Sequence, residues 1–245
     1  MDTLSQRWAM LEPATEMVGP NDGVVRPAVL LFHGCGGLRG HLPIYAAAAA
    51  EAGWRAFIVD SFAPRGWSRE FAMAMVCTGM LLRGGERAGD VLATIHGVST
   101  RPDVDASKIA LAGYSHGGWG IMEAMSSARR PGDLGVKDPE VVDLAAVKAT
   151  YLAYPYVGIA ALNRMQPWRY CPRTLAVIAR KDHLTTVRNA QKVHEMVRGC
   201  GVEVDVWIAE GTHSFDEPMT APPMRYDPVV AAEAVSRFQA LLKSA

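Results

Sequence analysis

Six apolar runs of strand length recur along this 245-residue chain: AVLLF (28–32), RAFIV (55–59), KIALAG (108–113), ATYLAY (149–154), TLAVIA (174–179) and VEVDVWIA (202–209). Segments of helical pattern lie between them, at 42–53, 86–98, 119–130 and 185–201, with a closing one at 228–245. Parallel strands need long crossovers, and a helix supplies one, so this alternation predicts an α/β chain built on a mostly parallel sheet. Most of the runs show no polar alternation, as expected of strands covered by helices on both faces. The last run does alternate, which places it nearer an edge. Residues 1–245 show no shift in composition, and we expect a single α/β domain.

One junction carries chemistry. In IALAGYSHGGWG, Gly113-Tyr114-Ser115-His116-Gly117 stands between a buried strand and a helix. A G-x-S-x-G elbow in that context is a turn so tight that the serine is strained, and it leaves the hydroxyl exposed at the carboxyl edge of the sheet. The pentapeptide alone recurs by chance; the flanking strand and helix give it weight. A serine hydroxyl needs a base, and the base needs an acid to orient it. In this architecture they follow in the order serine, acid, histidine, each after a later strand. Asp182 of RKDHL and His213 of EGTHSFD fall in those places. Asp182 could instead cap a helix, with Thr185 and Thr186 as rivals for that task, and Glu210 is the substitute acid. His194-Glu195 begins an H-E-x-x-H zinc pattern, but position 198 is arginine, so we expect no metal.

The loop after the first run, HGCGGLRGH, has four glycines between positions 34 and 40. Such loops hold anions, either a phosphate or the oxyanion of an attacked carbonyl. A dinucleotide reading has Asp60 at the end of the next strand in its favour. It fails on spacing: counted from Gly34 and Gly36, the third glycine position is Arg39. The oxyanion reading uses the backbone N–H of Cys35 and that of His116, which follows the nucleophile.

Lys plus Arg equals Asp plus Glu, at 25 each, so no long-range field draws nucleic acid or an anionic membrane. The N-terminus has no signal pattern and no 18 apolar residues stand together, so a cytoplasmic protein is expected. Cys35, Cys77, Cys171 and Cys200 are widely spaced without a C-x-x-C pair, and free, mostly buried thiols are expected.

Taken together, LLFHGCGGL, FIVDSFAPRG, IALAGYSHGGW, RKDHL and GTHSFD resemble the dienelactone hydrolase family of α/β-hydrolases over roughly residues 27 to 243. The resemblance implies an α/β-hydrolase fold with about eight mostly parallel strands and helices on both faces. It also implies hydrolysis of an ester or lactone through an acyl-enzyme, with no cofactor. The hydrolases for which the family is named carry a cysteine nucleophile and a glutamate in the loop after the first parallel strand. Here Ser115 holds the elbow and Gly34 follows His33, which favours the serine members that act on various carboxylic esters. Segments 61–85 and 154–170 are expected to cover the pocket, with Arg65, Trp67, Tyr154 and Tyr156 as substrate-binding candidates. The other roles for these segments are core packing or a homodimer face. Rival functions are a catalytically silent binding module and peptidase or thioesterase chemistry on the same fold.

Overall fold

A computed structural model describes residues 1–126, 133–158, 161, 167–199 and 201–245. Seven strands are present among these residues: β1 (Thr15–Val18), β2 (Arg26–Phe32), β3 (Arg55–Val59), β4 (Val104–Tyr114), β5 (Val147–Ala153), β6 (Arg173–Lys181) and β7 (Val204–Thr212). They form one sheet in the order β1-β3-β2-β4-β5-β6-β7, parallel throughout except where β1 runs antiparallel along β3. The last six coincide with the six apolar runs. The seventh, TEMV, is short and only half-buried, so it carries no apolar run to mark it, and the count is seven where about eight was expected. β7 lies at the far edge, in keeping with its alternation.

The helices are α1 (Leu4–Leu11), α2 (His41–Glu51), α3 (Arg69–Met75), α4 (Gly84–Val98), α5 (His116–Met125), α6 (Val187–Gly199) and α7 (Pro228–Ser244). Successive residues of a strand point to opposite faces, and β2 shows what that means for the core. Leu30 and Phe32 join Leu92 of α4 and Ile121 of α5 on one face, while Val29 and Leu31 join Tyr45 of α2 and Phe238 of α7 on the other. Both faces are covered, so β2 can be apolar at every inner position.

A buried charge cluster ties the first of these faces to the N-terminus. The Asp90 carboxylate on α4 is fully buried and accepts from Arg7 of α1 at 2.8 Å and from Arg65 at 2.8 and 3.1 Å, with Arg87 3.7 Å away. Such a cluster is stable only because each charge has partners of the opposite sign.

From β2 the chain crosses to β3 on one side, and from β4 it crosses to β5 on the other. The carboxyl ends of β2 and β4 therefore flank a switch point, where open α/β sheets bind their ligands. Their register pairs Phe32 with Gly113, so the two strands end level and release the glycine loop and the serine turn side by side.

Candidate active site

Ser115 connects β4 to α5 with φ 51° and ψ −110°, a positive φ that a non-glycine residue adopts only when its surroundings force it. Two glycines make the turn possible. A Cβ on Gly117 would lie 2.1 Å from the Phe32 carbonyl oxygen, and one on Gly113 would lie 2.6 Å from the Gly118 nitrogen. A larger residue at Gly117 would push the helix off the end of β2, and one at Gly113 would push it off β4.

His213 lies just past β7, and its ring Nε2 stands 2.8 Å from Ser115 Oγ. The other ring nitrogen, Nδ1, is 2.8 Å from Asp182 Oδ2 in the loop after β6. A carboxylate only accepts, so Nδ1 carries the proton, which leaves the Nε2 lone pair facing the serine hydroxyl. The second oxygen of Asp182 accepts from the N–H groups of Leu184 at 2.7 Å and Thr185 at 3.1 Å. Asp182 therefore fixes its own loop and the histidine together. The cap of α6 falls to Thr186, whose hydroxyl accepts from Asn189 N. Glu210 is exposed and pairs with Arg180.

The glycine loop lies directly against this chain. A Cβ on Gly34 would come within 3.4 Å of Ser115 Cβ and 4.0 Å of its hydroxyl. The Gly34 carbonyl accepts from His33 Nδ1 at 2.7 Å and from the Gly37 N–H at 3.2 Å, while His33 Nε2 accepts from the Ser61 N–H at 3.1 Å. Arg87 also donates to the His33 carbonyl at 3.2 Å. A trans peptide points its C=O and N–H in opposite directions, so pinning the Gly34 carbonyl fixes the aim of the Cys35 N–H. Burial and, after it, the neighbouring Arg87 charge lower the pKa of His33, so the ring is neutral and can bridge in this way. The His116 N–H sits in the first turn of α5, where no intrahelical acceptor exists. Its ring is buried, and burial followed by Arg87 depresses its pKa to about 3.

Four expectations need correction. Cys35 and Cys77 are joined by a disulfide that ties the glycine loop to the segment beyond α3, because the fold brings two cysteines 42 residues apart face to face. Cys171 is exposed, not buried, and Cys200 lies outside the described residues. Arg65 does not face the serine, since its guanidinium is committed to Asp90 and to the Ser61 carbonyl. Trp67 packs against Phe62 and Phe71 and lines a separate cavity with Arg65 and Met1. Segment 61–85 still borders the site, through Met73, Val76 and Cys77.

Tyr154 and Tyr156 do reach the site. The Tyr154 ring packs edge-on against His213, with centroids 4.8 Å apart, and its hydroxyl donates to buried Asp216 at 2.5 Å. Asp216 also accepts from Tyr45 at 2.9 Å, so this carboxylate anchors the loop that carries His213. Tyr156 lines the cavity on the other side of Ser115. Residues 159–160 and 162–166 of the second expected covering segment lie outside the described residues. The sequence reading missed Trp119 and Asp216: Trp119, one helical turn past Ser115, could have been found from spacing, whereas the partners of Asp216, Tyr45 and Tyr154, lie far from it along the chain. Among the described residues, no helix is long and apolar enough to cross a membrane.

A sequence model of the Dienelactone hydrolase family matches residues 14–135, about half of the chain. No curated protein matches it. Among solved structures, a dienelactone hydrolase-like promiscuous phosphotriesterase from metagenomic libraries superposes with a TM-score of 0.70 at 19% identity, covering 94% of this chain and 91% of that one. Esterase 2 of the planctomycete Thermogutta terrifontis, with propionate bound, gives 0.64 at 14% identity, covering 94% and 88%. The same esterase phosphoramylated by tabun gives 0.65 at 14% identity with the same coverage. At these identities the likeness shows a shared fold.

Proposed function

The chain belongs to the dienelactone hydrolase family, and we propose that it works as a serine hydrolase on carboxylic esters or lactones. One observation carries the reading: the unbroken chain of 2.8 Å contacts from Ser115 through His213 to Asp182, set at the switch point of the sheet. As Ser115 Oγ bonds to the carbonyl carbon, its proton passes to His213 Nε2. The resulting imidazolium is stabilised by Asp182 across Nδ1–H. His213 then returns that proton to the departing alcohol oxygen, and the acyl group remains on the serine. A water activated by the same nitrogen cleaves the acyl-enzyme and restores Ser115.

The negative oxygen formed in each half-reaction would be held by the N–H groups of Cys35 and His116. Each such donor contributes roughly 3 kcal/mol to the transition state, and the α5 N-terminus adds its positive end. The His33 and Arg87 contacts support this role because they set the aim of the Cys35 N–H before substrate arrives. Preorganised donors cost no rearrangement during reaction. That an esterase with this fold is phosphoramylated by tabun supports a covalent mechanism here, with Ser115 as its nucleophile.

The test is labelling by a fluorophosphonate together with turnover of a short-chain nitrophenyl ester. Wild-type protein should be modified at Ser115 and hydrolyse the ester. Ser115→Ala should do neither while keeping its thermal transition, and a purified Ser115→Ala protein that still turns over would refute the mechanism.

A further inference from the structure

Two cavities meet at Ser115. One, of about 320 Å³, is walled by Val76, His116, Trp119 and Tyr156. The other, of about 190 Å³, is walled by Arg69, Met73, His183, His213 and Met224. Among the described residues they share Ser115, Leu184 and the two bridged cysteines, Cys35 and Cys77. The disulfide and Leu184 thus form a divider with the nucleophile at its foot.

If Ser115 is the nucleophile, as proposed above, the chemistry gives each cavity a different half of the substrate. The departing oxygen must lie within reach of His213 Nε2, because that nitrogen delivers its proton. The alcohol therefore extends into the cavity that His213 lines. The carbonyl oxygen turns toward the N–H groups of Cys35 and His116, and the remaining substituent on the carbonyl carbon, the acyl chain, is left the cavity that His116 lines.

That cavity has a specific character. Trp119 is buried and its indole N–H is already committed to Glu123 at 2.6 Å, so it offers a substrate an apolar ring and no free donor. The Tyr156 ring lies 5.0 Å from it at 50°, and together they form an aromatic wall. An apolar cavity of about 150 Å³ holds a benzene, so about 320 Å³ holds a phenyl ring with a short linker to the carbonyl. Flat rings pack best against such a wall, by offset or edge contacts.

From this we infer that the enzyme selects esters of aryl-substituted carboxylic acids, with Trp119 and Tyr156 reading the acyl group, and that the His213-side cavity reads the alcohol. The inference rests on the serine hydrolase reading, and the experiment separates the two. Nitrophenyl esters of butanoic, benzoic, phenylacetic and 3-phenylpropanoic acid share a leaving group and differ in the acyl half alone. In wild-type protein the best aryl ester should exceed butanoate at least tenfold in kcat/KM. Tyr156→Ala, at a half-buried position, should cut that ratio at least fivefold; Trp119→Leu should do the same where it folds. Met73→Ala should leave the acyl ratio alone and instead alter the ranking of methyl, butyl and benzyl 3-phenylpropanoates.

A wild-type enzyme that prefers butanoate would overturn the inference. So would an acyl ratio that follows Met73 and ignores Tyr156. If no ester turns over and Ser115 is not labelled by the fluorophosphonate, the hydrolase reading falls and takes this one with it. If Ser115 is labelled and esters turn over without the aryl preference, the assignment of the cavities alone is wrong.

Discussion

The Cys35–Cys77 bridge gives the most quantitative prediction. It closes a loop across a sequence separation of 42. In the chain-entropy treatment, a cross-link over about 42 residues removes about 13 cal/mol/K from the unfolded ensemble, or about 4 kcal/mol at 25 °C. For a chain of this size each kcal/mol moves Tm by about 2 °C, so Cys35→Ser/Cys77→Ser should melt about 8 °C below wild type. The bridge also fixes the loop whose Cys35 N–H is aimed by the pinned Gly34 carbonyl, so kcat should fall in the same variant with KM changing less. Thermal unfolding by circular dichroism, with and without a phosphine reductant, reads the first effect, and nitrophenyl ester kinetics read the second. Reduced wild type should match the double variant, which should not respond to reductant. Cys171→Ser, at an exposed position outside the bridge, should keep the full response. A double variant melting within 2 °C of wild type would refute the reasoning, because it would mean that the loop is equally confined without the bond.

Three further outcomes follow from the site and its supports. Asp182→Asn keeps an oxygen for the Leu184 and Thr185 N–H groups but no longer holds His213 in its working tautomer; kcat on a nitrophenyl ester should fall by about 10³ to 10⁴, and an unchanged rate would move the acid's role elsewhere. Burial would raise the pKa of Asp90, but Arg65, Arg87 and Arg7 outweigh it and hold the carboxyl below its ordinary value, so its stabilisation is complete above about pH 4 and is lost as pH falls. Asp90→Asn should therefore cost about 3 kcal/mol at neutral pH and flatten the acid limb of a Tm-against-pH profile, and an unchanged limb would argue against this assignment. Gly117→Ala should destabilise the fold by about 3 kcal/mol and abolish turnover, since its Cβ would meet the Phe32 carbonyl at 2.1 Å; a stable, active variant would show that the elbow can relax.

The parts of this molecule that were legible in the sequence share a physical origin. A central parallel strand is buried on both faces, so its inner length must be apolar, and β2 through β6 announce themselves for that reason, whereas β7, at the edge, shows as an alternating run. β1 has one neighbour and half-exposed side chains, so nothing in TEMV needed to be apolar, and it went unseen. The same logic divides the site. Ser115, His213 and Asp182 stand where strands end, and strand ends are visible in the pattern; the glycines at 113 and 117 mark a turn that no other residue allows. The Cys35–Cys77 pairing and the commitment of Arg65 to Asp90 depend on contacts between segments far apart in the chain, and no local period encodes them. Arg65 shows the cost of reading a charged side chain without its partner. An arginine beside a predicted pocket looks like a substrate ligand until a buried carboxylate claims it, and a fully buried Asp90 cannot go unclaimed. Asp90 lies on α4, 25 residues along the chain from Arg65, and only the packing of α4 brings the two together. The proposed specificity belongs to the same class of information. Trp119 and Tyr156 come from α5 and from the loop after β5, and they make one wall because the Tyr156 N–H donates to the Ser115 carbonyl at 3.2 Å, seating that loop on the elbow itself. The hydrogen bond from the Tyr156 N–H to the Ser115 turn thus also sets one side of the cavity into which the acyl group is proposed to extend.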